Sequence, residues 1–320
     1  MIQSALAQVG FGKQTAKGTP ASNPGYAFGL TDGAIVTVDI SQDLEERTSG
    51  SRLSTAVNRT GVVPGIDWSC RAHTKSVAGL LYAALGSIAS TGAGPYTHTI
   101  TTADDLPYFT FFGKQGSTIY AVNDGKIDEL TISFSEANPV EVSASGLGTT
   151  LNPAATFVPV TDDTVASYLN AASGTFKLDI DSATPVTARI ASGEVSITNS
   201  LEAIMVSGAI TPNDVFPGRQ DIEVSLEIVP DNFDEWRTIL TGSSSGTDAS
   251  VSPIFGSFEF TFTEGANSVK LAATKVAFTA DFPSADAAGG AMRLSLEGLV
   301  VKPEGGQALT ATVVNGVASY

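Results

Sequence analysis

Two histidines, one cysteine and scattered carboxylates are the side chains here that could do chemistry. Their spacing argues against it. His73, His98 and Cys70 cannot complete a Cys/His zinc site, which takes four such ligands. His73, beside Arg71 on the approach from a predicted strand to a predicted helix, suits a surface or capping role. Gly242-Ser243-Ser244-Ser245-Gly246 satisfies the string G-x-S-x-G, but a nucleophile elbow needs it between a strand and a following helix. Here it follows a predicted helix, and no histidine lies downstream to serve as base. Around Gly10 to Thr15 the chain approaches a phosphate-binding loop, yet Ala7 stands where the first glycine belongs and Gln14 where the Ser/Thr belongs. The carboxylates form no readable convergent pair. Cys70 reads as a small apolar side chain in a strand, and a single cysteine allows no intrachain disulfide. The residues therefore predict no catalytic, cofactor-binding or metal site, and no enzyme.

With no chemistry to position, the elements themselves carry the argument. The 320 residues suffice for one large β-domain or two ordinary ones. A 42% hydrophobic and 16% charged composition predicts a folded chain. Abundant Thr, Ser, Val and Ala, punctuated by 32 Gly and 15 Pro, favours many short strands joined by turns. The formal net charge of −16 excludes the basic stripe that a nucleic-acid binder needs. It suits solubility, or a surface past which DNA slides without sticking. Met1 to Lys13 has no signal-peptide pattern, and no run approaches the roughly 18–20 apolar residues that span a bilayer. Assembly in a cytoplasm and no membrane partner are expected.

Alternation and glycine punctuation divide the chain. Residues 1–25 read as an N-terminal arm. Val36, Val38 and Ile40 share one face of a strand. Ser41 to Gly61 reads as a long polar loop, closed by a Val62-Val63-Pro64-Gly65 turn. Ser76 to Leu85 predicts a helix with Leu80, Leu81, Ala84 and Leu85 on one face and Gly86 as its cap. In Ile127 to Phe134, Leu130, Ile132 and Phe134 face one way while Glu129, Thr131 and Ser133 face the other. Val140 to Gly146 alternates again. Residues 151–172 read as a linker. The second half repeats the order. Val215-Phe216-Pro217-Gly218, a strand from Ile222 and a helix over Pro230 to Leu240 follow one another, the helix holding Phe233, Trp236, Ile239 and Leu240 inward. Three strands and Met292 to Gly298 come next. The offset is roughly 150 residues, which predicts a duplication. Trp68 and Trp236 fall at matched places and read as core. Residues 301–320 read as a C-terminal arm.

Four features in this order resemble the phage tail tube family, the major tail proteins of long-tailed, siphovirus-type bacteriophages. They are the opening Gly12-Lys13-Gln14-Thr15-Ala16-Lys17-Gly18-Thr19-Pro20-Ala21, the lone helix Ser76 to Gly86 between β-blocks, Tyr96-Thr97-His98-Thr99-Ile100, and Lys126-Ile127-Asp128-Glu129-Leu130-Thr131-Ile132. The resemblance implies a mainly β fold. It consists of two tandem tail-tube β-sandwich or half-barrel domains, 26–150 and 173–300, each with one flanking α-helix. In an assembled ring they form a continuous β-barrel. It also implies a structural virion protein that self-assembles into stacked rings, the conduit for DNA ejection into the host. The family ring holds six tube domains, so a duplicated chain is expected as a homotrimer with pseudo-hexameric symmetry, a homohexamer being the alternative.

By the same resemblance, Lys13, Gln14 and Lys17 of the N-terminal arm, Asp43, Glu45, Glu46, Arg47, Arg52 and Arg59 of the long loop, and Tyr320 are expected at inter-ring contacts. The other reading of these segments is termini and a loop without partners. Glu129, Thr131 and Ser133, with Thr279 and Asp281, are expected to face the lumen. An outward solvent face suits the same residues. The implied partners are further copies of the chain, a tape-measure protein and DNA inside the lumen without specific binding, and tail terminator and distal tail proteins at the ends. The implied places are the virion tail and, during assembly, the host cytoplasm. Three other functions fit parts of the pattern: an extracellular adhesin or surface-layer protein, a carbohydrate-active β-enzyme, and the tube protein of a contractile secretion-type machine.

Overall fold

The computed structural model of the protein describes residues 7–21, 25–44, 56–156, 168–182, 185–230, 232–282 and 292–320. The first half runs β1 (Ala7–Lys13), β2 (Tyr26–Phe28), β3 (Asp32–Leu44), β4 (Val57–Arg71), α1 (Thr74–Leu85), β5 (Gly86–Thr91) and β6 (Tyr96–Thr102). It continues with β7 (Phe109–Gln115), β8 (Thr118–Ser135), β9 (Glu141–Leu147) and β10 (Thr150–Asn152). The second half runs β11 (Thr175–Asp179), β12 (Val186–Thr187), β13 (Ile190–Thr198), β14 (Glu202–Ile204), β15 (Asp214–Phe216) and β16 (Asp221–Ile228). After it come α2 (Asp234–Thr241), β17 (Phe255–Glu264), β18 (Asn267–Ala280), β19 (Leu294–Val300) and β20 (Thr310–Asn315). β14 and β15 pair with each other; the remaining strands form one 18-stranded sheet. Its pairings branch at β8 and β18 but never return on themselves, so among the described residues the chain is an open sheet and no closed barrel.

The layout follows from two long strands, of 18 and 14 residues. β8 pairs with β7 and β10 at its start and with β9 and β13 at its end. β18 pairs with β17 and β20 at its start and with β19 at its end. Phe28 and Phe111 meet Trp68 edge-on at 5.6 and 5.5 Å. Phe134 stacks on Phe176 at 4.8 Å and meets the edges of Phe260 and Phe262, which joins the halves through aromatic contact. One buried cluster runs through both halves.

α1 begins two residues before the predicted start and is buried at every residue except Lys75. It ends at Gly86, whose φ of +98° few other residues adopt and whose N–H bonds Tyr82 O. Gly79 lets the helix lie against β1, since a Cβ there would meet the Phe11 ring at 2.4 Å. α2 begins four residues later than predicted, because Asn232 Oδ1 accepts the Asp234 N–H and sets the first turn there. Its Phe233 and Leu240 are exposed, not inward as the helical period suggested.

Five other expectations are corrected. From Ala7 the supposed N-terminal arm is a strand between β2 and β7, with Val9 and Phe11 in the core. Glycines 10 and 12 interrupt the apolar alternation and hide it. The supposed long loop is, at both described ends, a continuation of the β3–β4 hairpin, with Leu44 opposite Val57 and Asp43 opposite Asn58. A hairpin exposed on both faces has no buried face to imprint a period. Pro64 lies inside β4 opposite Val38, with no turn there. The supposed C-terminal arm supplies β20, which is inserted between β18 and β6. Beyond it Tyr320 packs on His98 and Tyr26, each at 4.9 Å, and donates to Lys75 O at 2.9 Å. The supposed linker is tied at Leu169, whose N–H bonds Ala72 O and whose carbonyl accepts from Val140 N.

Phe260→Ala is expected to destabilise the chain by about 3–5 kcal/mol, as core aromatic truncations do. Val251→Ala, at a fully exposed side chain, should stay within about 0.5 kcal/mol of wild type. Urea unfolding of both measures this. Asp214 gives a second expectation. Burial alone would raise its pKa, but Lys17 at 2.7 Å, the Val215 N–H and the Tyr108 hydroxyl hold it below the ordinary carboxylate range. A depressed folded pKa stabilises above the unfolded value of about 3.9, and that contribution is lost as pH falls through the folded one. Asp214→Asn should therefore cost under about 1 kcal/mol near neutrality, the pair being partly exposed. Its melting-temperature deficit should shrink below about pH 4.

Candidate assembly surface

The candidate surface is a sheet face built by strict alternation. Reading across β4, β9, β8, β13, β16, β19 and β18, paired residues form rows. One row is Arg71, Glu141, Ser133, Glu194, Ser225, Glu297 and Thr279. The next row but one is Ser69, Ser143, Thr131, Ser196, Glu223, Leu299 and Ala277. Between them lies Cys70, Val142, Ile132, Val195, Val224, Gly298 and Phe278, pointing the other way into the core. Period 2 thus sorts one face to core and one to solvent across both halves without a break. The junction is β8 against β13, registered Leu130 to Ile197 and Ile132 to Val195. α1 spans this junction: its Ala84 carbonyl accepts from Asn199 Nδ2 at 3.1 Å and Gln220 Nε2 at 3.2 Å.

The polar face is acidic. Asp67, Glu129, Glu141, Glu194, Glu223, Glu227 and Glu297 lie on it, against Arg71 within the rows. Arg71 stacks on Tyr168 at 4.8 Å, and Arg293 at the margin pairs with Glu227 at 2.7 Å. A hollow of about 600 Å³ opens on this face, lined by Ser133, Ser192, Glu194, Ser225 and Glu227 among others. The hydroxyls and carboxylates contact one another loosely, as in Thr131 Oγ1 and Ser196 Oγ to Glu129 Oε1, both at 3.5 Å. No group of three or more His, Cys, Asp or Glu able to hold a metal occurs among the described residues. Burial pushes the Cys70 thiol up to about 12, with Glu141 adding to the shift, so it is no thiolate nucleophile at neutral pH. Among the described residues no helix is long and apolar enough to cross a membrane.

The structure brings Glu129, Thr131, Ser133 and Thr279 onto this one face, and Asp281 is exposed just beyond β18. Sequence reading found the strands over Glu223-Val224-Ser225-Leu226-Glu227 and Glu141-Val142-Ser143 but did not place their polar residues on this face, although they carry the same alternation. The residues expected at inter-ring contacts are not brought together. Lys13 lies over the Tyr82 ring at 5.0 Å, and Gln14 is buried beside Thr110 at 2.8 Å. Lys17 pairs with Asp214, and Tyr320 is held on α1 by its bond to Lys75 O. Asp43 and Arg59 are exposed on the projecting β3–β4 hairpin. Glu45, Glu46, Arg47 and Arg52 lie outside the described residues.

The sheet ends in open edges. β3 pairs with β4 alone among the described residues. The end of β18, Thr279 and Ala280, pairs with β19 alone. Exposed edges of this kind invite pairing with another chain.

A family model described as phage tail tube protein matches residues 4–313. No curated protein matches the chain. With a match over nearly its whole length, this open, acidic-faced β-sheet chain belongs to the phage tail tube protein family.

Proposed function

We propose that three copies of this chain close into a ring of six tube domains, that rings stack into the tail tube, and that the acidic sheet face lines the conduit for DNA ejection. Family membership carries the coarser part: a structural, non-enzymatic protein of the virion tail that self-assembles into a tube. The observation that carries the finer part is the unbroken polar face shared by both halves, ending in an open edge on either side. A duplicated chain is supported by pairing order. β3-β4-β9-β8 in the first half corresponds to β13-β16-β19-β18 in the second, each with its helix after the second strand. Domains 26–150 and 173–300 are the proposed units, with β1 and β11 as matching strands before them or at their start.

A lumen face of carboxylates and hydroxyls repels phosphate, so DNA and a tape-measure protein pass without specific binding. The β3–β4 hairpin, with Asp43, Arg59 and exposed Leu44 and Val57, is the element we place at the ring-to-ring contact. Terminator and distal tail proteins cap the ends, and assembly takes place in the host cytoplasm.

Negative-stain microscopy of concentrated protein, with end-on views averaged without imposed symmetry, tests this. Rings with threefold density and six similar lobes are expected. True sixfold averages keep the tube and remove the duplication, and a protein that stays monomeric at high concentration and with tail initiator proteins removes the tube. The lumen assignment has its own test. Tubes carrying Glu194→Lys, Glu223→Lys and Glu297→Lys should bind a fluorescent single-stranded oligonucleotide, with affinity falling steeply with salt. Wild-type tubes should not, and equal binding by both would remove the acidic lumen.

A further inference from the structure

Within the chain, β8 meets β13 and α1 covers the meeting line. The counterparts of these elements at the chain's two sides are β18, β3 and α2, and among the described residues β3 and the end of β18 each keep one edge unpaired. We propose that the internal joint is the template for the joint between neighbouring chains: the end of β18 in one copy pairs antiparallel with β3 of the next, Ala280 opposite Val38, and α2 seals it as α1 seals the first. This rests on the ring reading above.

The register follows from the ladders. Gly146 lies opposite Ile66 in β4, and Gly298 lies opposite Val224 in β16. Setting these pairs equal makes Pro64 the counterpart of Ile222, hence Val38 that of Ile197. The same step through β9 and β19 makes Ala280 the counterpart of Leu130, since these face Leu296 and Ala144. Leu130 pairs with Ile197 inside the chain. Ala280 therefore takes Val38 of the next copy, with Thr279 opposite Asp39 and Asp281 opposite Thr37. All four of these flanking side chains then fall on the polar face, and Ala280 and Val38 fall on the apolar one. A one-residue slip would reverse this.

Exposure points to the same partner. Ile197, under α1, is 1% exposed, whereas its counterpart Val38 is 38% exposed. Ile40, the counterpart of Asn199, is 45% exposed. Asn199 bonds the carbonyl of Ala84, two residues before the left-handed Gly86. The residue two before the left-handed Gly242 is Leu240, which is 43% exposed. The template thus brings Leu240 against Ile40, an apolar contact in place of a polar one. Phe282, 61% exposed and seated on Trp236 at 4.8 Å, completes the patch on the β18 side. Only a second copy supplies the strand in register and the matching apolar side chains together.

Cysteine pairing tests the joint in the full chain, where Cys70 is buried. Directly opposed Cβ atoms lie about 4.5–5.5 Å apart, near disulfide reach. Thr279→Cys with Asp39→Cys, oxidised under assembly conditions, should give an interchain ladder on a non-reducing gel. It should form at least tenfold faster than with Asp281→Cys and Ser41→Cys, which are four residues out of register. Ile40→Glu should raise the concentration needed for assembly at least tenfold while leaving the monomer's melting temperature unchanged. A ladder closing at three or at six chains supports the joint. Rings seen by microscopy without selective crosslinking, or unaffected by Ile40→Glu, overturn the joint and leave the tube standing. Absence of any assembly in the unmodified protein overturns both.

Discussion

The backbone ladder between β8 and β13 is the interaction on which the rest of this molecule depends. It joins the two halves along one line, as β20 between β18 and β6 joins them along another. With it, the alternation of side chains is locked in phase across both halves. Along this ladder the core-facing Leu130 and Ile132 of β8 are level with the core-facing Ile197 and Val195 of β13. A slip of one position would turn Val195 and Ile197 toward water and drive Glu194 and Ser196 into the aromatic cluster around Phe134. Burial on one face and charge on the other therefore enforce a single register, and the acidic face is a by-product of the same constraint that builds the core.

The two helices show what such a ladder requires around it. α1 is apolar nearly all round because sheet lies beneath it and β6 and β20 pack beside it. α2 is shorter and carries charge, and among its residues only Thr238 is buried. Sequence similarity between the halves is consequently weak where it matters most. Helices with the same place in each half meet different surroundings, and their side chains differ accordingly. The features the halves share are backbone ones: a left-handed glycine cap on each helix, and a glycine in β9 and in β19 where neighbouring groups leave no room for a Cβ.

Much of this was legible in the sequence, and the failures have physical causes. The alternation of β8, the position of α1 and its cap, and the closing strands could be read because each has one buried face or a defined end. The polar lumen candidates Glu129, Thr131 and Ser133 came from that same alternation. β1 was missed because glycines 10 and 12 sit at every second place, and β20 because nothing local says what it pairs with. The β3–β4 hairpin was missed because it projects beyond the core. The Val-x-Pro-Gly match was accidental, since Pro64 lies inside a strand while Pro217 precedes one. The β8–β13 junction lies between strands about sixty residues apart in sequence and leaves no local signal.

β20 has a consequence for how the protein is made. It is the strand between β18 and β6, and Asn315 within it bonds both Thr74 O and the Tyr320 hydroxyl over α1. A chain still emerging from the ribosome holds β6 and α1 long before it holds their partner. The first half must wait, unfinished, for residues more than two hundred positions later. Folding of this region is thereby tied to completion of synthesis through Asn315, and prematurely terminated chains carry an unfilled gap beside β6. Only chains translated through β20 close the ladder between β18 and β6.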